Sequence, residues 1–157
     1  MVINMKTLKI IKLIILIVLF FSCGSKQELK EETKQVKLVS NIIEVDTKFF
    51  IEKIAKLDNG LEYLGDKPAI IDFYATWCGP CRKQTPILEE LSKKYKDSLY
   101  IYKIDVDNSP DLANTLNVSA IPTLIFFSLP PTRPVMMQGF MTKEEVEYYI
   151  QGFLLKN

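Results

Sequence analysis

The spacing of apolar positions divides the chain into an amino-terminal segment and a folded domain. Leu13-Ile14-Ile15-Leu16-Ile17-Val18-Leu19-Phe20-Phe21 is unbroken apolar sequence, preceded by Lys6, Lys9 and Lys12 and followed by the small residues Ser22, Cys23, Gly24 and Ser25. From Lys26 to Lys37 lysine, glutamate and glutamine dominate, with little to bury, which predicts a solvated tether. Beyond it the pattern changes. Asn41 to Val45 reads as a short strand, and Asp46 or Thr47 can cap a helix with Phe49, Phe50, Ile54 and Leu57 at helical spacing. Asn59-Gly60 and Gly65-Asp66-Lys67-Pro68 interrupt the chain before Ala69 to Tyr74, a nearly continuous apolar run of the kind that forms a strand covered on both faces.

A helical pattern follows at Ile87, Leu88, Leu91 and Tyr95. Leu99 to Val106 predicts a strand, Pro110 to Leu116 a short helix, and Thr123 to Phe127 a strand rich in β-formers. Val135 to Phe140 can pair with that strand through a proline-rich connection. Thr142-Lys143-Glu144-Glu145 has the spacing of a capping box and opens a last helix through Val146, Tyr149, Ile150 and Phe153. Strands and helices alternate, then a hairpin and a helix close the chain. The expected fold is α/β, a central mixed β-sheet flanked by helices on both faces.

The apolar run of nine residues would span only about 14 Å as a helix, short of a bilayer core. It therefore reads as an export signal, beginning at Met1 or Met5. Cys23, directly after the run and one small residue, resembles the lipidated cysteine of bacterial lipoproteins, although Phe20 and Phe21 stand where that pattern has leucine and a small residue. The resemblance implies a signal peptide over residues 1–22, a lipid-anchored flexible tether over 23–40 and a folded domain over 41–157. The expected location is the bacterial cell envelope, on the periplasmic side or outer surface, with the domain attached to a membrane through Cys23. Cleavage near Ser22 and an uncleaved anchor are the alternatives.

Composition narrows the chemistry. Twenty lysines and arginines face nineteen aspartates and glutamates, a net charge of +1, so no whole-molecule field attracts nucleic acid. The chain has no histidine, which removes the usual general base near neutral pH and the commonest metal ligand. Three cysteines are too few for a disulfide framework.

Cys78 and Cys81 stand three apart at the predicted strand-to-helix junction, in Trp77-Cys78-Gly79-Pro80-Cys81. On a helix that spacing puts both on one face with Cβ atoms roughly 5–6 Å apart, close enough to the 3.5–4.5 Å of a disulfide for the pair to close and reopen. Gly79 leaves room for an approaching sulfur, and Pro80 suits a first helical turn. Cys78, at the helix amino terminus, is the expected nucleophile, because unpaired N–H groups there favour a thiolate. Cys81, shielded one turn inside, is the expected resolving cysteine. A purely structural disulfide closing so short a loop would contribute only about 2 kcal/mol. A zinc site needs four ligands, of which the pair supplies two, and no metal is expected.

The segment Ile71-Asp72-Phe73-Tyr74-Ala75-Thr76-Trp77-Cys78-Gly79-Pro80-Cys81 resembles the active-site segment of thioredoxins. Pro86, Lys103-Ile104-Asp105-Val106-Asp107, Ile121-Pro122-Thr123 and Gly139 extend the resemblance, which covers Asn41 to the end. It implies a thioredoxin fold, a redox-active Cys78–Cys81 disulfide with no other cofactor, and Pro122 as a cis-proline. It also implies that Asp72 accepts the Cys81 proton with Lys103 as electrostatic neighbour, and that Trp77, Gly79, Pro80, Ile121 and Gly139 form the substrate-docking surface. Tyr74, Thr76, Gln84 and Thr85 depart from the common thioredoxin sequence, as do the Leu129 to Pro134 turn and the extended stretch from Leu57 to Lys67.

The implied activity is protein-disulfide reduction by a monomer, acting on protein disulfides and supplied with electrons by a redox partner. Two other readings stand beside it. Disulfide-forming oxidases and isomerases usually carry histidine between the cysteines, where this chain has Gly79-Pro80. A non-catalytic, peptide-binding lipoprotein would use the same surface without turnover.

Overall fold

The computed structural model describes residues 38–39, 41–58 and 60–156. The expected signal, Cys23 and most of the tether lie outside the described residues. The elements are β1 (Leu38–Val39), β2 (Ile42–Glu44), α1 (Thr47–Phe49) continued by a π-helical turn over Phe50–Ile54, β3 (Ala55–Lys56), β4 (Glu62–Tyr63), β5 (Ala69–Tyr74), α2 (Gly79–Lys94), β6 (Tyr100–Asp105), α3 (Pro110–Thr115), β7 (Thr123–Phe127), β8 (Val135–Gln138) and α4 (Lys143–Tyr149), which ends in a second π-helical turn over Ile150–Leu154.

Six strands form one mixed sheet in the order β1-β2-β6-β5-β7-β8, and β3 and β4 form a separate two-stranded ribbon. β5 runs parallel to β6 and antiparallel to β7. Its residues Ala69 to Phe73 are fully buried, as the apolar run predicted. Alternate side chains along β5 serve different faces. Ile71 and Phe73 pack with Phe50, Ile54, Leu112 and Phe127, whereas Ile70 packs with Leu88, Leu91, Phe126 and Val146. α1 and α3 therefore cover one face, and α2 and α4 the other. Each such fully buried side chain contributes about 1.5–3 kcal/mol of transfer free energy, so the core is anchored on both sides of the strand that leads into the cysteines.

Local signals explain most boundaries. Asp46 caps α1 by accepting the Phe49 N–H at 2.9 Å. At α4, Thr142 and Glu145 form the expected capping box, with the Thr142 N–H donated to Glu145 Oε2 at 2.7 Å and the Glu145 N–H to Thr142 Oγ1 at 3.3 Å.

Three expectations change. The first helix stops at Ile54 instead of continuing to Leu57, because Ala55 and Lys56 pair with Tyr63 and Glu62. β8 ends at Gln138 and not at Phe140, because Gly139 turns to φ +100° and its N–H is donated to the Pro122 carbonyl at 2.7 Å. Leu38 and Val39, assigned to the tether, pair antiparallel with Ile43 and Ile42, so the sheet begins inside the segment expected to be flexible.

Candidate active site

Cys78 and Cys81 are joined as a disulfide with their Cα atoms 5.3 Å apart. The chain leaves the buried end of β5, turns through Thr76 and Trp77, and enters α2 with Cys78 as its N-cap. Pro80 lies in the first turn, where its missing N–H leaves no acceptor unpaired. The Cys81 N–H is donated to Cys78 Sγ at 3.2 Å, so a backbone dipole is aimed at the sulfur that would carry negative charge after reduction. Exposure does not separate the two cysteines as the sequence suggested. Cys78 is 4% exposed and Cys81 2%, so their asymmetry rests on the N-cap position and not on access. A Cβ added at Gly79 would meet nothing nearer than Arg82 Nη2 at 3.8 Å.

On the opposite side of the pair, the Ile121–Pro122 peptide is cis and the Ile121 carbonyl lies 3.7 Å from Cys78 Sγ. Once reduced, the thiol could donate to that oxygen. Gly139 is fixed to the same loop by its bond to Pro122. Trp77 is 67% exposed, and its indole N–H is donated to Asp107 Oδ2 at 2.8 Å. Beside Trp77 lies an open cavity of about 260 Å³ walled by Val106, Pro110, Ala113, Val118 and Ile121. Pro80 is exposed at the rim of α2.

Asp72 lies on β5, the strand that leads into the pair, with no exposed surface, and among the described residues neither carboxylate oxygen has a hydrogen-bond partner. Burial raises its pKa from 3.8 to about 7, against the lowering effect of Lys103. Lys103 is its register partner on β6, with Nζ 3.8 Å from Asp72 Oδ2. The same ammonium donates to Thr85 Oγ1 at 2.8 Å and lies 4.0 Å from the centre of the Tyr74 ring. Thr85 in turn donates to the Cys81 carbonyl at 3.1 Å, and the Tyr74 hydroxyl donates to Glu44. Burial, with the neighbouring Glu44, pushes the Tyr74 phenol above its usual range.

The site thus combines the Cys78–Cys81 disulfide at the start of α2, the fully buried Asp72 on β5 and the cis Ile121–Pro122 peptide beside Cys78. The thioredoxin family model matches residues 41–152. The chain belongs to the thioredoxin family. It is similar to a thioredoxin from Borreliella burgdorferi, 41% identical over 106 residues that cover 66% of this chain and 90% of that one. A thioredoxin from Alicyclobacillus acidocaldarius is 42% identical over 91 residues, covering 57% of this chain and 85% of its own. Among solved structures, chloroplastic thioredoxin z superposes with a TM-score of 0.62 at 26% identity, covering 74% of this chain and 96% of that one.

The fold is thus a thioredoxin fold, and with its disulfide the chain is a thiol–disulfide oxidoreductase. The register places Asp72, Lys103 and the start of β7 after Pro122 toward the same end of the sheet, the end at which β5 leads into Cys78 and Cys81. Sequence reasoning did not find the Asp107 partner of Trp77, nor the Thr85–Lys103–Tyr74–Glu44 chain. The spacing of Thr85 four residues after Cys81 was a usable signal, since it places the hydroxyl on the cysteine's face of α2. Gln84 was noted only as a polar departure. It is fully buried, and its Oε1 accepts the Met141 N–H at 2.9 Å, fastening α2 to the segment beyond β8.

Proposed function

We propose that this thioredoxin-family domain is a protein-disulfide reductase of the bacterial cell envelope, held at a membrane by lipid on Cys23. The observation that carries the reading is the Cys78 sulfur at the N-cap of α2, accepting the Cys81 N–H, with a fully buried Asp72 on the strand that leads into it. In the dithiol state the Cys78 thiolate attacks one sulfur of a substrate disulfide. A mixed disulfide forms, and the first substrate sulfur leaves as a thiolate. Cys81 then gives its proton to Asp72, directly or through water, and attacks Cys78 Sγ. The second substrate thiolate leaves, two electrons have passed to the substrate, and the Cys78–Cys81 disulfide remains. A redox partner outside this chain must return two electrons before the next cycle.

Gly79-Pro80 between the cysteines supports the reducing direction. Thioredoxin-like and strongly oxidising pairs differ by about 150 mV, or roughly 7 kcal/mol for two electrons. Equilibration of the full chain with glutathione or dithiothreitol buffers measures the potential. A value near −270 mV agrees with a reductase, and one near −120 mV would make the protein an oxidase. Trapping with Cys81→Ser in the native cell should leave partners linked to Cys78. A domain whose partners bind equally well after both cysteines become serine would instead be a binding protein. Mass spectrometry of the mature chain should find lipid on an amino-terminal Cys23, and a free thiol there would remove the anchor.

A further inference from the structure

The ammonium of Lys103 has a choice of acceptors and is not bonded to the charged one. A direct ammonium–carboxylate hydrogen bond spans about 2.7–2.9 Å, yet Lys103 Nζ stops 3.8 Å from Asp72 Oδ2 and instead donates to the neutral Thr85 hydroxyl at 2.8 Å. The Thr85 hydrogen is committed to the Cys81 carbonyl, so the oxygen presents a lone pair to Lys103. The Tyr74 ring, 4.0 Å from Nζ, attracts the same cation from β5. We propose that Thr85 is a positioning residue, whose hydroxyl holds the Lys103 ammonium back from Asp72 and ties it to the turn of α2 that carries Cys81.

The groups around this point come from four elements. β5 supplies Asp72 and Tyr74, β6 supplies Lys103 and Asp105, β2 supplies Glu44, and α2 supplies Cys78, Cys81 and the uncharged Thr85. Glu44 accepts the Tyr74 hydroxyl, and Asp105 bonds to the Asp107 and Asn108 nitrogens. Removing the Thr85 hydroxyl therefore leaves the Asp72 carboxylate as the nearest strong acceptor for Lys103. Closing that gap from 3.8 Å to about 2.8 Å, at an effective dielectric near 20, lowers the proton affinity of Asp72 about tenfold. The importance of this control rests on Asp72 being the acceptor of the Cys81 proton, as proposed above.

The test is a carbon-13 titration of the Asp72 carboxyl by NMR in the oxidised full chain, with Thr85→Val, Thr85→Ala and Thr85→Ser. Valine keeps the branched shape and removes the hydroxyl, alanine removes both, and serine keeps the hydroxyl. The expected result is a midpoint about tenfold lower in proton affinity for the valine and alanine variants, with serine close to the parent. A merely structural threonine would leave the midpoint where it was. Parent-like titration in both Thr85→Val and Thr85→Ala would overturn the proposal, as would a lowered midpoint in Thr85→Ser equal to theirs. The pH profile of mixed-disulfide resolution is measured on the same proteins. If the NMR midpoint falls and the rate profile does not follow it, the positioning role stands and the assignment of Asp72 as proton acceptor fails.

Discussion

Asp72 and Lys103 face each other as register partners on adjacent central strands, but the ammonium stops 3.8 Å from the carboxylate and, among the described residues, neither oxygen of Asp72 finds a hydrogen bond. A carboxyl in that position holds its proton far more tightly in the folded protein than in the unfolded chain. The energetic consequence has a definite sign.

Because burial raises the Asp72 pKa from 3.8 to about 7, the folded state binds more protons than the unfolded state between those values. The associated stability is fully present below pH 3.8 and is lost as pH rises through about 7. The loss is at most about 4 kcal/mol, from 1.36 kcal/mol per pH unit. Asp72→Asn removes this slope. Urea unfolding should show the variant gaining on the parent by about 2–4 kcal/mol between pH 4 and pH 8, with the other carboxylates cancelling in the difference. A pH-independent difference would mean that Asp72 titrates as an ordinary aspartate. The same variant should accumulate mixed disulfide during turnover near neutral pH.

Both cysteines are buried, so access alone predicts slow and similar alkylation. The Cys81 N–H aimed at Cys78 Sγ favours the thiolate of Cys78. Iodoacetamide added to the reduced protein near pH 7 should therefore label Cys78 well before Cys81, as read by peptide mass mapping. Earlier labelling of Cys81 would reverse the two roles.

Trp77 is the sole tryptophan, so its fluorescence reports directly on its tie to Asp107. Asp107→Ala frees an exposed indole at a cost of about 1 kcal/mol or less. The expected outcome is a faster component in the anisotropy decay and a KM for protein disulfides raised several-fold at nearly constant kcat. An unchanged decay would show that the indole is held by packing.

Gln84 is a buried amide with its Oε1 on the Met141 N–H and its Nε2 without a partner among the described residues. Gln84→Leu leaves the Met141 N–H without an acceptor and should destabilise by about 1–3 kcal/mol at every pH. Gln84→Glu keeps the acceptor but buries a charge. It should therefore be strongly destabilised at pH 8 and close to the parent at pH 4, where a raised carboxyl pKa leaves it neutral. Equal losses at both pH values would mean that the site is hydrated.

What the sequence made legible was local. Ala69 to Tyr74 was readable as a doubly covered strand because every side chain but the last is apolar or the one buried acid. Thr142 to Glu145 was readable because a capping box closes within four residues. The hairpin of β3 and β4 was not, since Leu57 continues the helical spacing while the pairing of Ala55 with Tyr63 decides the structure. Within the site, the cysteines carried their own signal in their spacing, whereas Asp72 and the cis form of Pro122 were legible only through the resemblance to thioredoxins. The contact of Lys103 with Thr85 spans 18 residues and exists only once α2 packs across the sheet. No spacing rule encodes it.

The position of β5 has a consequence for the motions open to the site. This strand is hydrogen-bonded to β6 on one side and β7 on the other, and helices cover both of its faces. Its amides should meet solvent deuterium only in openings that separate the sheet, and so exchange among the slowest in the domain. Asp72 is thus carried on a strand held at both edges and covered on both faces, whereas the cysteines stand at the start of α2 and Trp77 projects at the exposed rim.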